Sequence, residues 1–275
     1  MRTVRYALWA AGLVLFGLFS QNGSAKTFLQ GPKAYYLALG DSITWGATPV
    51  GPAHSFADDL ATVFARAGMT EAVNLGCPGE TTTTFIHGGC PSAKINRYPY
   101  TGPQLAAALA FLHQHPGEVS PVTVEIGYND PSNDGLLLPR CTLAPEPMIA
   151  AALVRFDANL RIILHDLSSA LRGTGDLVVT NNYVATQNTC PASNVLQREF
   201  NSHLAASVAA AHATLVPIYD LFNTRSGQSA ALCRLTWICS QYVDIHPNIA
   251  GQMAIAQRIL EVTGYARRAM FTNPQ

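Results

Sequence analysis

Short apolar runs alternate along this chain with longer stretches of helical period, and this alternation limits the possible folds more than any other feature. It is the sequence form of successive βαβ units, in which a parallel sheet is buried between two layers of helices. The expected strands are Tyr35–Gly40, Ala72–Gly76, Val122–Gly127, Leu177–Asn182 and Thr214–Tyr219. The strongest helix is expected over Glu146–Leu171, where Ile149, Leu153, Phe156, Leu160, Ile163, Leu164, Leu167 and Leu171 recur at steps near three and four and form one apolar stripe. Further helices fit Ser55–Ala67, Pro103–His113, Ser193–Ala211 and Ile249–Val262, with Pro103 suited to a first helical turn. In 275 residues these elements make one three-layer α/β domain with a sizeable core.

Composition narrows the partners. With 48% hydrophobic and 12% charged residues the chain is no disordered polyelectrolyte. Lys+Arg 17 against Asp+Glu 17 leaves no basic face for nucleic acid, so none is expected as a partner. At the amino terminus Arg2 and Arg5 precede the uncharged run from Tyr6 to Phe19, followed by Gly23-Ser24-Ala25. That is the pattern of a cleaved secretory signal over residues 1–25, leaving a domain over 26–275. The run falls short of the roughly 20 residues that span a bilayer, so an uncleaved anchor is the alternative and a secreted protein, not stably inserted in a membrane, the expectation. Six cysteines in an exported chain imply three disulfides. Pairing of neighbours in chain order gives Cys77–Cys90, Cys141–Cys190 and Cys233–Cys239.

The longest stretches without a clear period, about 77–102, 128–145 and 220–248, each follow the carboxyl end of an expected strand. Open α/β sheets place their ligand sites there. The first strand runs into Gly40-Asp41-Ser42, a turn that can present a hydroxyl at the sheet edge. Asn74-Leu75-Gly76-Cys77-Pro78-Gly79 follows the second strand and Gly127-Tyr128-Asn129-Asp130 the third, so the Ser42 N–H, the Gly79 N–H and the Asn129 amide can converge on one oxyanion. Taken singly, Ser42 reads as a helix cap and Gly79 and Asn129 as turn residues. In Val243-Asp244-Ile245-His246-Pro247 an imidazole stands in a loop beside a carboxylate, the base that an unactivated serine needs. No zinc spacing, phosphate-binding loop or dinucleotide loop is present in the sequence, and no metal or cofactor is expected.

The four blocks GDSITWG, NLGCPGETT, GYND and DIHPN stand in the order and approximate spacing of the GDSL or SGNH hydrolases, a family that the sequence resembles over essentially the whole mature chain. The resemblance implies a flavodoxin-like fold of five parallel strands in the order 2-1-3-4-5. It implies Ser42 as nucleophile, Ser42, Gly79 and Asn129 as oxyanion donors, His246 as general base and Asp41 as a structural hydrogen-bonding partner. The family usually has an aspartate three residues before the histidine, where Val243 stands here. Asp244 is therefore expected to be the third catalytic member, with the Val243 carbonyl as the competing acceptor. The expected activity is that of a secreted serine esterase or lipase, a monomer acting on small-molecule or lipid esters. An acetyl esterase acting on polysaccharide and a non-catalytic extracellular binding module are the alternatives. Phe85, Tyr98, Tyr100, Tyr128 and Trp237 are expected either to wall an acyl site or to pack against disulfides.

Overall fold

The computed structural model describes residues 29–186, 188–223 and 228–266; the segment read as a secretory signal lies outside the described residues. Strands β1 (Tyr35–Gly40), β2 (Glu71–Asn74), β3 (Val119–Glu125), β4 (Leu177–Thr180) and β5 (Thr214–Val216) form one sheet in the order β2-β1-β3-β4-β5. Every pairing in it is parallel. Alternation along β1 feeds two cores. Leu37 and Leu39 pack with Val122, Val124, Phe156 and Leu160 beneath helices α4 (Gln104–Gln114), α6 (Glu146–Leu171) and α7 (Pro191–Ala210). Tyr36 and Ala38 pack on the other face with Phe56, Leu60, Phe64, Ile255 and Ile259 from helices α2 (Phe56–Ala65) and α10 (Ile249–Thr263). Each fully buried Leu or Phe of these layers contributes about 1.5–3 kcal/mol relative to exposure, which is why the apolar period was a usable guide.

Several strands end earlier than their apolar runs, and asparagine side chains bond the chain just beyond two of these exits. Asn74 donates to the Thr44 carbonyl at 2.7 Å and accepts the Gly76 N–H at 2.9 Å. After Val216, Pro217 has no N–H to donate, and Asn181 accepts the Ile218 and Tyr219 N–H groups at 2.7 and 2.9 Å where the short helix α8 (Tyr219–Phe222) opens. The stretches without a clear period also hold structure that is too short to show one. They contain α3 (Thr82–His87), α5 (Asp130–Asn133) and α9 (Gln228–Leu235), and Leu137–Leu138 pairs with Thr142–Leu143 as a two-stranded ribbon. Disulfides Cys77–Cys90, Cys141–Cys190 and Cys233–Cys239 fasten these loops, one to each.

Candidate active site

The turn after β1 is forced by crowding. Gly40 has φ 144°, and a β-carbon there would lie 1.9 Å from the Glu125 carbonyl, so only glycine lets β1 and β3 approach at this point. The Asp41 N–H donates to the Glu125 carbonyl at 3.1 Å, and its carboxylate caps helix α1 (Ser42–Trp45) by accepting the Ile43 N–H at 2.9 Å. Ser42 is the first residue of α1, where a backbone N–H has no intrahelical acceptor. Two amides from outside hold the helix: Gln252 of α10 donates to the Ile43 carbonyl at 3.2 Å and Asn74 to that of Thr44.

The histidine arrives on a loop rather than on a strand. Loop residue Trp237 lies within the span closed by Cys233–Cys239; its N–H donates to the His246 carbonyl at 3.0 Å, and its own carbonyl accepts the Asp244 N–H at 3.3 Å. From the sheet side the Tyr183 hydroxyl donates to the Ile245 carbonyl at 2.7 Å, its buried ring stacked on Phe222 at 4.1 Å. Val243 has φ 49°, a left-handed conformation that a β-branched residue adopts only under strain. The kink folds Asp244 back so that its Oδ1 accepts both the His246 backbone N–H and the ring Nδ1–H, each at 2.8 Å. An ionised carboxylate only accepts, so Nδ1 carries the proton and Nε2 presents its lone pair to the Ser42 hydroxyl at 3.0 Å. Of the two acceptors open in the sequence, the Asp244 carboxylate is the one that meets the ring.

Gly79 and Asn129 complete the constellation less simply. Gly79, within the Cys77–Cys90 loop, has φ 87°, and a β-carbon on it would press at 3.2 Å on Pro91, which follows the bridge. The Asn129 amide donates to the Glu80 carbonyl at 3.0 Å and, more loosely, to Asp41 at 3.3 Å. Asn129 is thus fixed from behind by its shorter bond, and the longer one is the weaker tie.

Beneath this edge lie four buried acids, of which the sequence reading assigned a role to Asp41 alone. Glu80 accepts from Gln104 at 2.9 Å, and burial pushes its carboxyl up to about 7 against the lowering effect of its Thr84 and Gln104 hydrogen bonds. Gln104 in turn clamps Gly40 at both N–H and carbonyl, at 2.7 and 3.0 Å. Burial raises Asp130 to about 6 although Thr82 donates to it from backbone and side chain. Burial raises Asp41 as well, and raises the neighbouring Glu125 strongly, with the Asp41 charge adding to the effect on Glu125. Glu125 was open to detection, being the one charged residue in the strand run Val122–Gly127; Gln104 and Tyr183 gave no sequence signal. The aromatic residues separate. Phe85 is fully buried in the core, Tyr98 and Tyr100 line a recess beside α4, Tyr128 neighbours Tyr183 at 6.0 Å, and Trp237 sits within the Cys233–Cys239 span. Among the described residues the one His/Cys/Asp/Glu cluster tight enough for a metal is Cys77, Glu80 and Cys90, and its two sulfurs are bonded to each other.

A family model described as GDSL-like Lipase/Acylhydrolase family matches residues 38–254, a span that includes Ser42, Gly79, Asn129, Asp244 and His246. The chain belongs to this family. As a GDSL-like acylhydrolase it is a carboxylic ester hydrolase. No curated protein matches its sequence significantly. Among solved structures, the acetylxylan esterase Axe2 from Geobacillus stearothermophilus is 17% identical with a TM-score of 0.55, over 85% of this chain and 95% of that one. LAE5, an alpha/beta hydrolase enzyme from the metagenome of Lake Arreo, Spain, is 18% identical with a TM-score of 0.56, over 86% and 97%. At such identity the likeness carries the fold. Structures of Axe2 with a serine, a histidine or an aspartate replaced by alanine, each described as a catalytic mutant, also match. In that esterase the aspartate stands three positions before the histidine; in this GDSL-like chain Asp244 stands two before His246.

Proposed function

We propose that this GDSL-like acylhydrolase is a secreted enzyme that cleaves small-molecule or lipid esters through an acyl-enzyme on Ser42. The observation that carries the reading is the unbroken path from Asp244 through both ring nitrogens of His246 to the Ser42 hydroxyl. His246 Nε2 takes the Ser42 proton as Oγ attacks the ester carbonyl, and Asp244 stabilises the imidazolium that forms. The negative oxygen of the tetrahedral intermediate is held by the Ser42 and Gly79 N–H groups and the Asn129 amide. The imidazolium then protonates the departing alcohol. Water, deprotonated by the same nitrogen, releases the acid and restores Ser42. Three disulfides suit an oxidising extracellular compartment, and no helix among the described residues is long and apolar enough to cross a membrane.

The test is covalent labelling. A fluorophosphonate is expected to mark Ser42 alone, and Ser42→Ala to abolish both labelling and turnover of p-nitrophenyl acetate while leaving the melting temperature nearly unchanged. Turnover by Ser42→Ala within about tenfold of the parent would overturn the assignment, since loss of a nucleophile costs orders of magnitude more.

A further inference from the structure

The acyl-transfer steps leave one buried carboxyl on the serine side without a part. Glu125 ends β3 beside the nucleophile turn: it pairs with Gly40 in the ladder, and its carbonyl accepts the Asp41 N–H at 3.1 Å. Val122 and Val124 face the core beneath α6, and Thr123 bonds Tyr36 on the opposite face. Strand alternation puts the Glu125 side chain on the face of Thr123. It is fully buried there, as is Asp41.

A carboxylate buried this deeply needs donors to keep its charge. Neither Glu125 oxygen accepts a hydrogen bond from a donor among the described residues. The hydroxyl of nearby Tyr183 is spent on the Ile245 carbonyl. What stands within hydrogen-bonding reach of Glu125 is the Asp41 carboxyl. Two carboxylates cannot both be charged in such a space, so one of the pair keeps a proton. The donors around them decide which. Asp41 accepts the Ile43 N–H at 2.9 Å and the Asn129 amide at 3.3 Å, both of which favour its charged form, and Glu125 receives neither. Burial and the Asp41 charge act together on Glu125 and raise it well above the ordinary carboxylate range.

We propose that Glu125 is a positioning residue for the reaction: it keeps its proton, donates it in a hydrogen bond to Asp41, and so holds the carboxylate that links α1 to the Asn129 amide. The inference rests on Ser42 and Asn129 acting as proposed above. Asp41 stands between the nucleophile helix and an oxyanion donor, so the direction in which its charge is spent matters to both. With Glu125 donating, part of that charge is engaged toward β3 and the Asn129 tie stays the weaker one. Without that donor, Asp41 draws harder on the Asn129 N–H and withholds it from an oxyanion that forms only in the transition state. The loss falls on kcat and not on KM.

The test pairs infrared spectroscopy with kinetics. At pH 8, above the raised Glu80 and Asp130 at about 7 and about 6, the parent is expected to show the carbonyl band of a protonated carboxyl that the Glu125→Gln protein lacks. Spectra that do not differ in this band overturn the proposal. Glu125→Gln, whose amide also donates to Asp41, is expected to keep kcat for p-nitrophenyl acetate within about threefold of the parent. Glu125→Leu cannot donate and is expected to lower kcat about tenfold, with KM within about twofold, against the ~10²–10³ that outright loss of an oxyanion donor costs. An unchanged kcat in Glu125→Leu, or equal losses in the two variants, overturns the positioning role. Should Glu125→Leu not fold, the band and Glu125→Gln decide, since a folded Glu125→Gln protein slowed about tenfold overturns it as well. The band is also read on the Ser42→Ala protein. Its absence there overturns the proton on Glu125 with the Ser42 assignment untouched, whereas turnover by Ser42→Ala overturns that assignment with the band in place.

Discussion

Ser42 and His246 face each other across 3.0 Å but are held there by different means. The serine side is set by the sheet. Gly40 ends a strand with neighbours on both sides, Gln104 clamps that glycine at both polar groups, and α1 is capped by Asp41 and held by Gln252 and Asn74. The histidine side is a loop with no ladder beneath it, and its position depends on a few discrete ties: the Cys233–Cys239 bridge, the Trp237 backbone, the Tyr183 hydroxyl and the Asp244 carboxylate. A nucleophile must sit at a fixed place, and a strand end provides that. A base must also pass a proton in two directions, and short ties fix its tautomer without embedding it in a core.

The comparison breaks most visibly at Asp244. Asp244→Asn replaces the one carboxylate bonded to the histidine ring among the described residues and offers a donor where an acceptor is needed. It is expected to lower kcat by about 10³–10⁴, in line with the serine-protease example of the same change, while fluorophosphonate labelling slows in parallel and the fold stays intact. A loss under tenfold would give the orienting role to another group.

Tyr183 tests whether the histidine side depends on single ties. Tyr183→Phe keeps the ring on Phe222 and deletes only the bond to Ile245, whose loss as a buried hydrogen bond costs about 1 kcal/mol. If that cost is felt as loop misplacement, kcat falls about tenfold with KM unchanged and the downfield imidazole proton resonance of His246 broadens. A stability loss with kcat unaltered would show that the tyrosine serves the core alone.

On the serine side the effect expected at Glu80 is on stability and its pH dependence rather than on turnover. Its carboxyl is raised from 4.5 to about 7, chiefly by burial. A raised acid contributes stability that is fully present below its unfolded value and is lost as pH rises through the folded one. The parent should therefore lose on the order of 3 kcal/mol between about pH 4.5 and 8 through this group, and Glu80→Gln should not. Denaturation midpoints at pH 4.5 and 8 check this: the advantage of Glu80→Gln should grow with pH, and a constant difference would contradict the burial argument.

The same contrast explains what could be read in advance. Helix α6 was legible to the residue because its stripe runs the full length of Glu146–Leu171, and burial against a sheet demands such a stripe. The ends of β1 matched the expectation, but those of the other strands did not, since Asn74 and Asn181 bond the exits through side chains that leave no mark on hydrophobic pattern. Ser42 and His246 stood out because the proposed chemistry needs particular residue types, one at a strand end and one in a loop beside a carboxylate. The acid was ambiguous because its geometry turns on one backbone angle at Val243, which sequence spacing does not encode. Gln104 and Tyr183 were hidden, as each acts through a bond to residues 64 and 62 positions away along the chain.

The bond between Ser42 and His246 joins residues 204 apart in sequence. A chain emerging from the ribosome presents all five strands before the residues that bear the base have been made, and Gln252, which also holds α1, comes later still. Contacts of such separation form late, once the intervening elements have docked. Ester hydrolysis is therefore a readout of finished folding in this protein. A fragment that stops short of Asp244 could retain most of the sheet and still be silent, so restored turnover marks the moment at which the last loop has found its place.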